Sequence, residues 1–216
     1  VYKRQTLLRQ HLAEAGFVVA SPAFPVTNQD SGFANAADVS GQIGDVSFVI
    51  DSLLADEEFG PLIDQGRIGM IGHSLGGLTT AGAALSIDGD HRIDAAVVMS
   101  AGFGQVRPDV DVMVLHGDAD SVVPIASSTA SWAFTQENRR MFVTLVGGNH
   151  LLGILDDDTD YGPIVRALAT GFLAHELGHD PIDAVAAATE VGGDLVTIEA
   201  GTPDGPLADW TTYFTT

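Results

Sequence analysis

A chain of 216 residues, 45% hydrophobic and 18% charged, is the size of one α/β domain with a sizeable core. Acidic residues outnumber basic ones 29 to 9, a formal charge of −20, and such a surface repels phosphate backbones and anionic lipid, which argues against nucleic acid and membrane as partners. There is no cysteine for disulfide or thiolate chemistry, no apolar run approaches a membrane span, and the first residues do not read as a signal peptide.

Aspartate is the main acid and Lys3 the sole lysine. This composition fits a protein from a salt-loving organism, where salt screens the self-repulsion, and equally an acidic protein from a high-GC bacterium. In chain order, Val1-Tyr2-Lys3-Arg4-Gln5 resembles one translated frame of a transposon-end sequencing adapter, so native sequence is expected to begin near Thr6. From there Leu7, Leu8, His11, Leu12 and Ala15 repeat with helical period up to Gly16. Phe17-Val18-Val19-Ala20 reads as a buried strand closed by Ser21-Pro22. A loop over residues 25–35 leads into a second helical pattern over residues 36–55, with Val39, Ile43, Val46, Val49, Ile50, Leu53 and Leu54 on its apolar stripe.

Short apolar runs over residues 68–71, 95–100, 112–116 and 141–146 predict four further strands. Helices are expected over residues 78–85, from Pro124 to about Glu137, and over residues 164–177. Strands that are apolar throughout and alternate with helices predict a mostly parallel sheet covered on both faces. Only residues 101–111 join two of the strands, too short a stretch for a lid, so a site beside them is expected to be open. Past Asp180 the chain predicts a helix over residues 182–189, a strand over residues 195–199 and a polar tail, all an extension of the same domain.

The chemistry starts at Gly72-His73-Ser74-Leu75-Gly76-Gly77. A strand that stops at a glycine, presents serine at G-x-S-x-G spacing and turns into a helix of small residues has the form of a nucleophile elbow, which leaves the hydroxyl exposed to meet a base. Side chains at Gly72 and Gly76 are expected to collide across such a turn. The first N–H groups of the helix, that of Leu75 included, aim at developing negative charge.

An activated serine needs a base, and the base an orienting acid. Functional loops of a parallel sheet follow the carboxyl ends of strands. Asp120 follows one later strand and His150 the next, which makes Ser74, Asp120 and His150 the candidate catalytic residues. Asp118 is the rival acid; Asp120 is preferred because Val122-Val123-Pro124 follows it at the usual distance. His116 reads as a structural or supporting histidine, and His73 as one pointing away from Ser74 across the turn. Asp156, Asp157, Asp158 and Asp160 read as a solvated loop.

Taken together, Gly72 to Gly77, His116-Gly117-x-x-Asp120-x-x-Val123-Pro124 and Gly148-Asn149-His150 resemble the α/β-hydrolase superfamily. Leu12-Ala13-Glu14-Ala15-Gly16-Phe17-Val18-Val19 and Asp45-Val46-Ser47-Phe48-Val49-Ile50-Asp51 resemble its branch related to dienelactone hydrolases, platelet-activating-factor acetylhydrolases and cutinases or polyester hydrolases. The resemblance spans about residues 6–177 and implies an α/β-hydrolase fold with Ser74 as nucleophile, His150 as base, Asp120 as orienting acid and the Leu75 N–H as an oxyanion donor. It also implies substrate contacts at Phe103 and at Leu151, with plain core packing the other reading of Phe103. True dienelactone hydrolases use a cysteine, so that activity is disfavoured. Relative to the family the front is short: the first strands, including one between the strands at Phe17 and Ile68, and the loop bearing a second oxyanion donor have no counterpart.

One motif competes. His175-Glu176-Leu177-Gly178-His179 matches the H-E-x-x-H of zinc peptidases, in which histidines at i and i+4 bind metal and the glutamate is general base. Against it, Gly178 and Pro181 end the helix where the motif needs rigidity, and no third ligand stands out beyond Glu190 or Glu199. The chain therefore reads as a serine carboxylic-ester hydrolase needing no metal or cofactor, acting on accessible, bulky or polymeric esters, with a zinc peptidase and a catalytically incomplete fragment of hydrolase fold as the alternatives.

Overall fold

The computed structural model describes residues 6–28, 35–151, 154–155, 160–178 and 193–215. Its centre is a six-stranded sheet of β1 (Ile68–His73), β2 (Ile93–Met99), β3 (Asp111–Gly117), β4 (Arg140–Leu145), β5 (Val196–Thr202) and β6 (Gly205–Leu207). The strands lie side by side in chain order. β1 to β4 are parallel, and β5 and β6 add antiparallel to β4. The expected mostly parallel α/β sheet is thus present, and the weak strand pattern near residues 195–199 is β5 in that same sheet.

Two apolar layers cover the sheet. Alternation along β2 and β3 sends Ala95, Val97, Met99, Met113 and Leu115 to one face, against α1 (Thr6–Glu14) and α5 (Tyr161–Glu176). Ala96, Val98, Val112 and Val114 face the other way, against α2 (Val39–Leu54), α3 (Leu75–Thr80) and α4 (Ala126–Trp132). Val97, Val98, Val112, Met113 and Val114 are fully buried, which is why these strands show no polar alternation in sequence.

Three expectations change. Residues 17–20 form no strand, and Val18 and Val19 remain 43% and 36% exposed. A strand exists only through a neighbour's hydrogen bonds, and among the described strands β1 pairs with β2 and none pairs with residues 17–20. The helix expected to reach Glu137 stops at Trp132, where the buried Thr135 turns its hydroxyl back to the Trp132 carbonyl at 2.8 Å. The buried Asn138 amide then holds the carbonyls of Arg107 and Val110 at 2.8 and 2.6 Å, anchoring the segment that joins β2 to β3. The helix after the serine begins at Leu75 and widens over Ala81–Leu85 into one π turn. Residues 1–5, Asp156 to Asp158 and the helix expected over residues 182–189 lie outside the described residues.

Candidate active site

β1 runs into α3 through Ser74, whose φ of 55° and ψ of −117° lie outside the regions that L residues ordinarily occupy. That conformation is held on both sides: the Ser74 N–H donates to the Met99 carbonyl at 2.8 Å, and the Ser74 carbonyl accepts the Leu78 N–H at 3.0 Å. A Cβ on Gly72 would run into the Gly76 carbonyl and the Thr80 hydroxyl, so the collision expected there is real. At Gly76 it is not: a Cβ there meets nothing within 4 Å, because the position faces the open side of β1. The second tight glycine is Gly77, where a Cβ would stand 2.8 Å from that of Ala101.

The strands deliver three loops to one rim. His73 ends β1 beside Met99, and Gly117 ends β3 beside Leu145 of β4. There the His150 Nε2 lies 2.9 Å from the Ser74 hydroxyl, and the His150 Nδ1 lies 2.7 Å from Asp120 Oδ2. The residues 74, 120 and 150, far apart in sequence, are brought within hydrogen-bonding reach. Both Ser74 and His150 keep part of their surface, whereas the Asp120 side chain has none.

The carboxylate is prepared for its partner. Asp120 Oδ1 accepts the N–H groups of Val122 and Val123, each at 2.8 Å, which leaves Oδ2 for His150. Burial pushes the Asp120 carboxyl up, but the hydrogen bonds from His150, Val123 and Val122 outweigh it and hold the carboxyl below its ordinary range. With the Nδ1–H engaged by a carboxylate, Nε2 is the nitrogen left to accept the serine proton. The buried ring of His116 stands behind this pair, its Nε2 3.2 Å from Asp120 Oδ2 and 2.8 Å from the Val123 carbonyl, and its Nδ1 2.6 Å from the Ser128 hydroxyl. His116 thus fixes the loop that carries the acid, as expected of a supporting histidine. The rival Asp118 does something else: its Oδ1 accepts the Gly147 N–H at 2.7 Å and ties the loop after β3 to the loop after β4.

His73 was expected to turn from Ser74. It has a further part that the sequence did not disclose. Its Nε2–H donates to the His150 carbonyl at 2.6 Å and the two rings lie 4.8 Å apart, so the elbow grips the loop bearing the imidazole. No sequence signal finds this, because the acceptor is a backbone carbonyl 77 positions away.

The Leu75 N–H is the first amide of α3, without an intrahelical acceptor, beside the serine. Phe103 is half-buried and packs with the α2 and α3 layer, and the Ser131 hydroxyl accepts the Phe103 N–H at 2.6 Å. This is the core-packing reading of Phe103. Leu151 is half-buried against the opposite layer, with its N–H on the Asn149 side chain at 2.8 Å.

The competing motif falls at the other end of the molecule. α5 ends at Glu176, and Gly178 takes a φ of 74°, so the helix does not run on through residues 177–178 of the motif. Arg139 holds Glu176 at 3.3 Å, and His175 packs against Tyr213 and Phe214. His179 and Glu190 lie outside the described residues, among which no group of three candidate metal ligands occurs. Among the described residues, no helix is long and apolar enough to cross a membrane. No protein-family model matches the chain, and no curated protein matches it.

Proposed function

We propose that this chain is a serine hydrolase of α/β-hydrolase architecture that cleaves carboxylic esters through an acyl-enzyme. The observation that carries the reading is the continuous relay from the Ser74 hydroxyl through His150 to Asp120, at 2.9 and 2.7 Å, on a strand-to-helix turn. His150 Nε2 takes the serine proton as Oγ bonds to the ester carbonyl carbon, and the Leu75 N–H faces the oxyanion. The imidazolium returns the proton to the leaving alcohol as the C–O bond breaks. Water then attacks the acyl-enzyme by the same route and restores the serine. Asp120 stays ionised and holds the ring's tautomer.

Partial exposure of Ser74 and His150 supports accessible, bulky or polymeric esters as substrates, and turnover confined to short soluble esters would count against that substrate class. The decisive test is labelling by a fluorophosphonate probe. Folded chain is expected to label at Ser74, and Ser74→Ala to lose both label and esterase activity, by about 10⁴-fold or more. Folded chain that fails to label points instead to a non-catalytic fragment of hydrolase fold. Activity that survives in Ser74→Ala and is lost to a chelator would support the zinc peptidase.

A further inference from the structure

A neutral imidazole has one proton too few for the place that His116 occupies. The ring has no exposed surface, and both of its nitrogens face oxygen. Nε2 lies 2.8 Å from the Val123 carbonyl and 3.2 Å from Asp120 Oδ2. Carbonyls and carboxylates accept and do not donate, so a bare Nε2 would set its lone pair against theirs. Asp120 has no proton to offer, because Oδ1 accepts the N–H groups of Val122 and Val123, Oδ2 accepts that of His150, and these bonds hold the carboxyl below its ordinary range. Nε2 therefore carries a proton. Nδ1 lies 2.6 Å from the Ser128 hydroxyl, which has a single proton to give and stands 2.8 Å from the carbonyl of the buried Ala101. Donated to Nδ1, that proton would leave the hydroxyl oxygen against the Ala101 carbonyl, acceptor facing acceptor. Donated to Ala101, it leaves the hydroxyl to accept from Nδ1, which then carries a proton as well.

With both nitrogens protonated the ring is a cation, and a buried cation needs a charged partner. Asp120, whose side chain is equally buried, is that partner. Of the elements packed on the ring, α4 contains no charged residue, β4 sets Thr144 beside it, and the residues after β2 bring Ala101. Asp118, on the same loop as Asp120, is exposed and engages the Gly147 N–H. Across the carboxylate stands His150, its Nδ1 2.7 Å from the same oxygen that His116 faces.

We propose that His116 is held as an imidazolium, so that Asp120 bridges two imidazoles and His116 is a positioning residue that acts on His150 through the shared carboxylate oxygen. The catalytic consequence rests on the serine-hydrolase reading, whereas the proton count does not. The positive ring behind Oδ2 offsets part of the negative charge that faces His150. A carboxylate without that offset would draw a proton onto His150, and a protonated His150 cannot take the one from Ser74. His116 thus extends turnover toward acid pH.

The first test is nuclear magnetic resonance of the whole chain with nitrogen-15 in its histidines, at about pH 7, where long-range nitrogen–proton spectra separate a protonated ring nitrogen from a bare one. Two protonated nitrogens are expected for His116, recognised by its contacts to Ser128, and one bare nitrogen overturns the proposal. This readout needs no turnover, so it decides the proton count even if Ser74 fails to take a fluorophosphonate label and the hydrolase reading falls. The second test is the pH profile of kcat/KM on a chromogenic ester. His116→Gln keeps a side-chain donor for Val123 and Asp120 but removes the charge, and its acid limb is expected at least about half a pH unit higher than that of the native chain. Ser128→Ala deletes the acceptor of Nδ1 and should move the limb the same way, which keeps the test open if His116→Gln does not fold. A lower rate with an unmoved limb in the folded variants would make His116 a packing residue alone and overturns the proposal.

Discussion

Asp120 and Asp118 sit two residues apart on one loop, and their surroundings separate them. Asp120 has no exposed side-chain surface and sends one oxygen to two backbone amides and the other to His150. Asp118 is exposed and its oxygen meets the Gly147 N–H. Asp120→Asn is expected to lower kcat by roughly 10⁴-fold, because an amide offers the imidazole a donor as readily as an acceptor and no longer holds the tautomer. Asp118→Asn keeps an acceptor for Gly147 and should leave kcat within a few-fold. Initial-rate kinetics on a chromogenic ester compare the two directly, and a reversed order would reassign the acid. The three proposed catalytic residues were legible because each stands at a strand end with a short local signature, and chain order then places them on one rim. His73 and Ser128 were not, since their partners are a distant backbone carbonyl and a ring that no spacing rule connects to them.

Between β1 and α3 the turn is built by close approach at specific glycines. Gly72→Ala forces a methyl into the Gly76 carbonyl and the Thr80 hydroxyl, at an expected cost of about 2 kcal/mol or more, read as a lower midpoint in urea. Gly76→Ala meets open space and gains helix propensity, so its midpoint should move by no more than about 1 kcal/mol. The repeated glycines of the motif could not reveal this difference, because steric demand depends on what lies opposite. Residues 17–20 show the same limit at the level of an element. Phe17, Val18, Val19 and Ala20 have the composition of an interior strand, but composition expresses a preference for a pleated, covered place and does not supply the neighbour. β2, β3 and β4 read correctly from sequence, within about two residues, because their neighbours are all present.

At the scale of the whole molecule, the two ends of the sheet carry opposite electrostatic arrangements. The carboxyl ends of the strands hold an acid kept ionised, whereas at the amino end of β3 the burial of Asp111, and then the adjacent Glu176, push its carboxyl up to about 8 against the pull of Arg139. A carboxyl whose folded pKa lies above its unfolded value near 3.9 binds its proton more tightly in the folded state. Its contribution to stability is complete below about pH 4 and is lost as pH rises toward about 8. Thermal midpoints measured at pH 5 and pH 8.5 should therefore fall for the native chain, and fall less for Asp111→Asn. An unchanged slope in the variant would place the titration elsewhere.

Because β4 is flanked by β5 and β6 while, among the described strands, β1 borders only β2, unfolding in rising urea should begin at the Ser74 side and spread toward the far one. Both tryptophans report from that far side, Trp132 against Phe142 of β4 and Trp210 against Phe214. Esterase activity should accordingly vanish at a lower urea concentration than tryptophan emission changes, a gap that a single cooperative transition would not leave. Hydrolytic lifetime in use would then be set by how long one border strand stays in place, and bracing that border would lengthen it even if the melting of the rest were untouched.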